Sequence, residues 1–150
     1  MRLTRHADYS LRVLMSLAVS PDGFGTVKQI SEAYGISRNH LMKVVHALGQ
    51  KGYIATTRGK GGGLALNAHP DRINIGRVVR EMEADLELVE CFGSTNRCVI
   101  TPECRLRQLL VDALAAFLDV LDHCTLADLV EAPDALAELL FPGRGAYPDS

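Results

Sequence analysis

Residues 26–67 read TVKQISEAYGISRNHLMKVVHALGQKGYIATTRGKGGGLALN. Thr26 is placed to cap a helix beginning at Val27, with Val27, Ile30 and Tyr34 as its buried stripe. Gly35 permits the left-handed turn that ends a helix, and Ile36 can pack inside that turn. Ser37 caps the next helix, Arg38 to Lys51, whose Leu41, Val44, Val45 and Leu48 share one face ahead of Gly52. Short helix, glycine turn and second helix form the helix-turn-helix pattern. The second helix opens Ser37-Arg38-Asn39-His40 and adds Lys43, side chains that bond phosphates and base edges at the end that enters a major groove. Tyr53 to Thr57 and Leu64 to Asn67 read as two strands. The tip between them, Arg58 to Gly63, holds four glycines and two cations and can approach a nucleic-acid backbone closely. No Gly-Lys-Ser/Thr opens a helix here, which excludes a phosphate-binding P-loop. Many helical hairpins look alike, and a glycine tip alone is only a flexible turn. Together they read as a winged helix-turn-helix, with Lys28, Ser37, Arg38, Asn39, His40, Lys43, Arg58, Lys60, Gly61 and Gly62 as its DNA-facing set.

The charge distribution supports that reading. The net charge of −2 hides 12 Lys and Arg against 4 acids in residues 1–80, and 4 Arg against 14 acids in residues 81–150. A basic half points to a polyanion partner, although a lopsided solvated surface has the same composition. The length of 150 residues fits one domain with an appendage. No run of 18 apolar residues spans a membrane, and without a secretory signal pattern the chain is expected in the cytoplasm, where thiols stay reduced.

Upstream, residues 4–19 read as an amphipathic helix with Ala7, Leu11, Leu14 and Ala18 inward, ended by Pro21, Asp22 and Gly23. Asp8 and Arg12 lie four apart on one face and can pair. Downstream, Ile73 to Glu83 reads as a short helix with Ile75, Val78, Val79 and Met82 inward, followed by a strand or extended link at Leu86 to Val89. Thr101-Pro102 gives a helix start for a long helix to about His123. Its Leu106, Leu110, Ala113, Phe117, Val120 and Cys124 follow a coiled-coil-like seam, which suits a dimer helix or packing within the monomer. Thr125 caps a last short helix, Leu126 to Glu131. Residues 132–150 read as a weak helix and a flexible tail. The fold class is therefore mainly α with a small β-hairpin wing: residues 1–80 a winged helix-turn-helix, 81–131 a cysteine loop and dimerisation helix, then the tail.

Cys91 to Arg107 reads C-F-G-S-T-N-R-C-V-I-T-P-E-C-R-L-R, a Cys-x6-Cys-x5-Cys spacing in a turn-rich loop. Soft thiolates so arranged suit an iron–sulfur cluster or zinc. Structural zinc prefers four ligands in tighter pairs, a disulfide needs an oxidising compartment, and inert thiols sit poorly in a polar loop. Thiol redox chemistry stays open. A cysteine enzyme lacks a base, since no histidine is near the loop in sequence. Cys124 lies about 30 Å from Cys104 if the helix between them is continuous, and reads as a core thiol.

These features resemble the Rrf2 family of bacterial regulators. The resemblance rests on M-R-L-T at the start, K-G-Y-I after the helix-turn-helix, the wing R-G-K-G-G-G-L, the helix I-G-R-V-V-R-E-M-E, the cysteine loop with its C-R-L-R ending, and T-L-A-D-L-V. It spans about residues 1–130 and is strongest to the nitric-oxide-responsive branch. It implies a cytoplasmic homodimer on double-stranded operator DNA, with one iron–sulfur cluster per subunit, [4Fe-4S] ahead of [2Fe-2S], and nitric oxide as signal. It further implies that Cys91, Cys98 and Cys104 are ligands and that the fourth is Asp8, within H-A-D-Y-S-L-R, from the partner subunit. Arg12, one helical turn from Asp8, can take back a released carboxylate, which makes the pair the expected signal relay. A cousin branch uses a histidine where this chain has Arg107. The first cysteine spacing is six residues rather than the five of some relatives. A redox-sensing cousin, or a zinc-stabilised DNA-binding module, remains the alternative.

Overall fold

A computed structural model describes residues 2–143. Helix α1 (Arg5–Ala18) runs through the middle, with α3 (Arg38–Gln50), α4 (Ile75–Met82) and α6 (Leu126–Leu129) packed on it and α2 (Val27–Tyr34) packed on α3. The antiparallel pair β1 (Ile54–Thr57) and β2 (Gly63–Leu66) projects as the wing, with Ile54 opposite Leu66 and Thr57 opposite Gly63. The long α5 (Arg105–Asp122) packs on α4, and α7 (Pro133–Leu140) closes against α2 and α1. Among the described residues no helix is long and apolar enough to cross a membrane.

The helix-turn-helix forms from the local signals in its sequence. Thr26 and Gln29 make a reciprocal capping box at the start of α2. Gly35 sits at φ +65° at its end, a conformation that favours glycine. Ser37 then caps α3 by accepting from the His40 amide at 3.2 Å. Leu41, Val44, Val45 and Leu48 are buried against Val13, Leu14, Ile30 and Ile54. Burying each such side chain stabilises by about 1.5–3 kcal/mol, so this face fixes how α3 sits on α1.

The structure corrects several boundaries. The buried face of α1 is Ala7, Ser10, Val13, Leu14, Ser16 and Leu17, while Leu11 and Ala18 are only half-buried. Two serines reach the core because their hydroxyls donate back to the carbonyls of His6 (2.7 Å) and Arg12 (2.9 Å). Val27 and Tyr34 are half-buried, leaving Ile30 as the core residue of α2. Residues 70–72 form a separate 3-10 turn before α4, whose cap is Asn74. Residues 86–89 are a link, not a strand. The long helix does not start at Pro102: Thr101–Glu103 is its own 3-10 turn, Cys104 is extended, and α5 begins at Arg105. Helix α6 stops at Leu129. The weak helix expected after residue 131 is α7, and Phe141 after it is 7% exposed. The rest of the expected tail, 144–150, lies outside the described residues.

Helices α4 and α5 are joined closely. Arg80 grips the Asp122 carboxylate with both terminal guanidinium nitrogens, Nη1 on Oδ1 and Nη2 at 2.7 Å from Oδ2. Gly76 makes room for this, since a Cβ there would meet Asp122 at 2.0 Å. Despite this join, no residue of α5 is buried by the rest of the chain.

Candidate functional site

Two regions carry chemistry, one at the helix-turn-helix and wing and one at the cysteine loop. In the first, Lys28, Ser37, Arg38, Asn39, His40 and Lys43 are all exposed. The Ser37 oxygen accepts from the His40 amide, so its hydroxyl proton is what remains for a phosphate. Glu32 holds two of the cations loosely, Arg38 at 3.7 Å and Lys28 at 4.0 Å. Exposed pairs of this kind contribute roughly 0–1 kcal/mol, so a phosphate can replace them. Met42, 59% exposed, and the exposed His46 share the outward face with Asn39 and Lys43. Sequence reading missed both. Their spacing of three and seven residues from Asn39, opposite the buried leucines and valines, was the available signal. Met42 offers an apolar contact of the sort that thymine methyl groups accept.

At the wing tip Arg58 and Lys60 point into solvent. The turn needs its glycines. Gly61 has φ +83°, and a Cβ on Gly62 would lie 2.2 Å from the Thr57 carbonyl oxygen. The base of the wing is tied down: the Asn67 amide donates to the Tyr53 carbonyl at 3.0 Å, and the Asn67 side chain donates to the Gly52 carbonyl at 3.0 Å.

In the second region Cys91, Cys98 and Cys104 line one hollow of about 190 Å³ with Val89, Ile100, Leu106 and Leu110. All are free thiols. Cys91 sits in a 3-10 turn (Glu90–Phe92), and Cys104 is the N-cap of α5, its sulfur accepting from the Arg107 amide at 3.4 Å. A helix N-terminus favours negative charge, which suits a thiolate ligand. Arg107 also donates from Nε to the Cys91 carbonyl at 3.2 Å, spanning the loop. Between these points the chain is shaped by Asn96, whose side chain donates to Thr101 Oγ1 (2.9 Å) and accepts from the Cys98 amide (2.9 Å). Among the described residues no three of His, Cys, Asp and Glu are gathered as tightly as a bound metal ion needs. The thiols thus share a hollow without converging on one point.

Asp8 lies elsewhere. It lines a separate hollow of about 530 Å³ on α1 with Arg2, Arg5, Tyr9, Arg12 and Tyr34, and shares no lining residue with the cysteines. Arg12 holds it there, and the Arg12 guanidinium lies 5.8 Å from the Tyr9 ring and 5.5 Å from the Tyr34 ring. Tyr9 in turn lies 6.1 Å from the His40 ring on α3. Cys124 stands at the far end of α5, where burial first, then Asp128 and Glu131, pushes its thiol up. That keeps it protonated and chemically quiet at neutral pH. The donor set of Cys91, Cys98 and Cys104 fits an iron–sulfur cluster: three soft thiols, a mostly apolar hollow, an amide aimed at one sulfur, and Arg107 beside them. The loop thus offers three soft donors from one chain, with the Glu90 carboxylate at the edge of the same hollow.

The Rrf2 family profile, described as iron-dependent transcriptional regulator, matches residues 3–132. The chain is 52% identical over 142 residues to the HTH-type transcriptional regulator NsrR of Bacillus subtilis, covering 93% of this chain and 97% of that one. It is 50% identical over 147 residues to the protein of the same name from Geobacillus kaustophilus, covering 97% and 100%. Among solved structures, CymR, the global cysteine regulator of B. subtilis, superposes with a TM-score of 0.70 at 26% identity, over 87% of this chain and 97% of that one. T. potens IscR shares the fold, with a TM-score of 0.70 at 21% identity over 99% and 94%.

Proposed function

The chain belongs to the Rrf2 family of transcriptional regulators, and on that premise we propose that it is a nitric-oxide-responsive repressor whose hold on operator DNA is set by an iron–sulfur cluster. Near-full-length likeness to NsrR proteins at about half identity supports this. The observation that carries it is the placing of three free thiols around one hollow, in a loop that holds no fourth Cys or His. Cys91, Cys98 and Cys104 would hold the cluster, and Asp8 of the partner subunit would complete it. When bound, the cluster supplies iron at which nitric oxide reacts. [4Fe-4S] is proposed ahead of [2Fe-2S], one per subunit, in a cytoplasmic homodimer.

The chain's own residues give Asp8 two places to be. With the carboxylate committed to the partner subunit, α1 of one chain is pinned to the cysteine loop of the other. With it released, it would return to Arg12, its partner within its own chain at 2.9 Å. Arg12 lies against Tyr34, the last residue before the helix-turn-helix glycine, and Tyr9 borders His40 at the start of α3. The two states of Asp8 therefore bear on the reading helix, and on the spacing of two such helices across a two-fold operator.

An anaerobic absorption spectrum with iron and sulfide analysis, followed by operator titration with and without nitric oxide, tests the proposal. Iron-to-sulfur bands and a loss of operator affinity with nitric oxide are expected. A colourless protein with stoichiometric zinc would establish the zinc-stabilised alternative. A cluster-bearing protein indifferent to nitric oxide would make the chain a redox-sensing cousin.

A further inference from the structure

Helix α4 makes a polar contact to each of three other elements. Its Arg80 holds Asp122 at the end of α5. Glu83, the residue that caps its C-terminus, accepts from the Thr4 amide at 2.8 Å and the Thr4 hydroxyl at 3.2 Å, and Thr4 is the N-cap of α1. Between these two, Glu81 accepts from the Tyr53 hydroxyl at 2.7 Å, and Tyr53 is the residue that leads into β1. Glu81 is only 24% exposed, and Arg77 steadies its other oxygen at 3.0 Å. A half-shielded carboxylate accepting two donors is a stronger and more directional joint than a surface pair. Burial and the neighbouring Glu81 both push the Tyr53 phenol up, so it stays a donor across the neutral range.

The wing needs such a joint. Two strands of four residues are marginal on their own, and the wing's cations lie at the tip, beyond the core. A small rotation at the base moves Arg58 and Lys60 by several ångströms. The base sits on the core through Ile54 and Leu64; two backbone bonds between Leu64 and Gly25, at 2.7 and 2.9 Å, hold β2, and the Tyr53 hydroxyl adds a bond from the start of β1 to α4.

We propose that α4 is a strut that sets the angle of the wing, with Tyr53 as a positioning residue that aims Arg58 and Lys60 at the DNA backbone through its bond to Glu81. This rests on the wing being a DNA contact. Through Arg80 and Thr4 the same strut leans on the long helix and on the start of the helix carrying Asp8, so the wing angle follows both.

The test is operator binding by the full-length protein as a function of salt, for wild type, Tyr53→Phe, Glu81→Gln, Glu81→Ala and Lys60→Ala. Tyr53→Phe keeps the ring and removes one hydroxyl. It is expected to lower operator affinity about fivefold or more, the low end of coupling between sites, and to flatten the salt slope as Lys60→Ala does, by about one counterion. Glu81→Gln keeps an acceptor for Tyr53 and is expected to stay near wild type, while Glu81→Ala follows Tyr53→Phe. A purely structural role would lower the melting temperature and leave the salt slope alone. Wild-type slope and affinity in Tyr53→Phe, with Lys60→Ala reduced, would overturn the strut and leave the wing contact standing. No effect in Lys60→Ala would remove the wing contact and the strut with it.

Discussion

Arg12 holds Asp8 in a two-pronged grip on the outer face of α1, with Nη2 2.9 Å from Oδ2 and Nε 3.1 Å from Oδ1. Both side chains are about two-fifths exposed, so the pair contributes little to stability, well under about 1 kcal/mol. Its interest lies in that weakness. A carboxylate held so lightly can be surrendered to a stronger ligand field at small cost. Asp8→Ala is therefore expected to leave the fold intact and the three cysteines able to hold a labile cluster. The change in operator affinity on adding nitric oxide should shrink, from a coupling of about 5–150-fold towards none. Equal fold-changes in wild type and Asp8→Ala would show that this residue does not carry the signal. Reciprocity adds a second readout: operator DNA should slow cluster loss in wild type and not in the variant.

Cysteine variants separate the loop from the helix. Cys91→Ala, Cys98→Ala and Cys104→Ala should each abolish cluster retention, by iron and sulfide analysis. Cys124→Ala should retain it, because that thiol lies at the other end of α5 and outside the hollow. Loss of iron in Cys124→Ala alone would reverse the assignment.

Direct readout belongs to the outward face of α3. Asn39→Ala and Met42→Ala are expected to change which operator base is preferred, each by about 1–3 kcal/mol at one position. Lys60→Ala should weaken binding to all sequences alike. Selection of operators from a randomised pool distinguishes the two behaviours.

The helix-turn-helix was legible because its signals are local: Thr26, Gly35 and Ser37 each act within a few residues, and the buried stripe of α3 repeats on one face. The same held for the cysteine spacing. What sequence reading missed depends on distant partners. Ser10 and Ser16 look too polar for a core until their bonds to i−4 carbonyls are seen. Thr101-Pro102 carries a sound helix-start signal, yet the chain spends it on a 3-10 turn so that Cys104 can cap α5. Phe141 gave no periodic signal, and only the face of α2 it covers explains its burial. The Tyr53–Glu81 bond joins residues 28 apart and has no local signature.

The same bond makes an acid-sensitivity prediction. Burial alone would raise the Glu81 carboxyl, but hydrogen bonds from Tyr53 and Arg77, with the charges of Arg77 and Lys51, hold it below the usual carboxylate range. Asp122 is likewise lowered, chiefly by its bond to Arg80. A carboxyl whose folded pKa is depressed contributes stability that is present above its unfolded pKa, about 4, and lost as pH falls through the folded value. The melting temperature should therefore drop as pH is lowered below about 5. Tyr53→Phe, having lost one donor to Glu81, should show a shallower drop. A parallel pH profile in the two proteins would mean that the Tyr53 bond does not hold the carboxyl down.

The last prediction concerns α5. Leu106, Leu109 and Val120 are 61%, 63% and 70% exposed, and no residue of the helix is buried by its own chain. Leaving such side chains in water forgoes about 25 cal/mol for each Å² of apolar surface, and contiguous apolar surface on a soluble chain marks an interaction site. A second copy of the same helix offers the matching surface, in the self-complementary manner of a two-fold dimer. Leu109→Glu puts a charge on that exposed apolar face. It should convert dimer to monomer in sedimentation equilibrium. The monomer should keep its helical circular dichroism, because Leu109 is exposed and α5 meets the core around α1 through Leu121 at its other end. Operator affinity should fall by about 10²–10⁴-fold, the loss expected when two linked half-site contacts become independent. A Leu109→Glu protein that stays dimeric and binds operator as wild type does would place the subunit contact on another surface. The partner's Asp8 would then have no route to the cysteine loop.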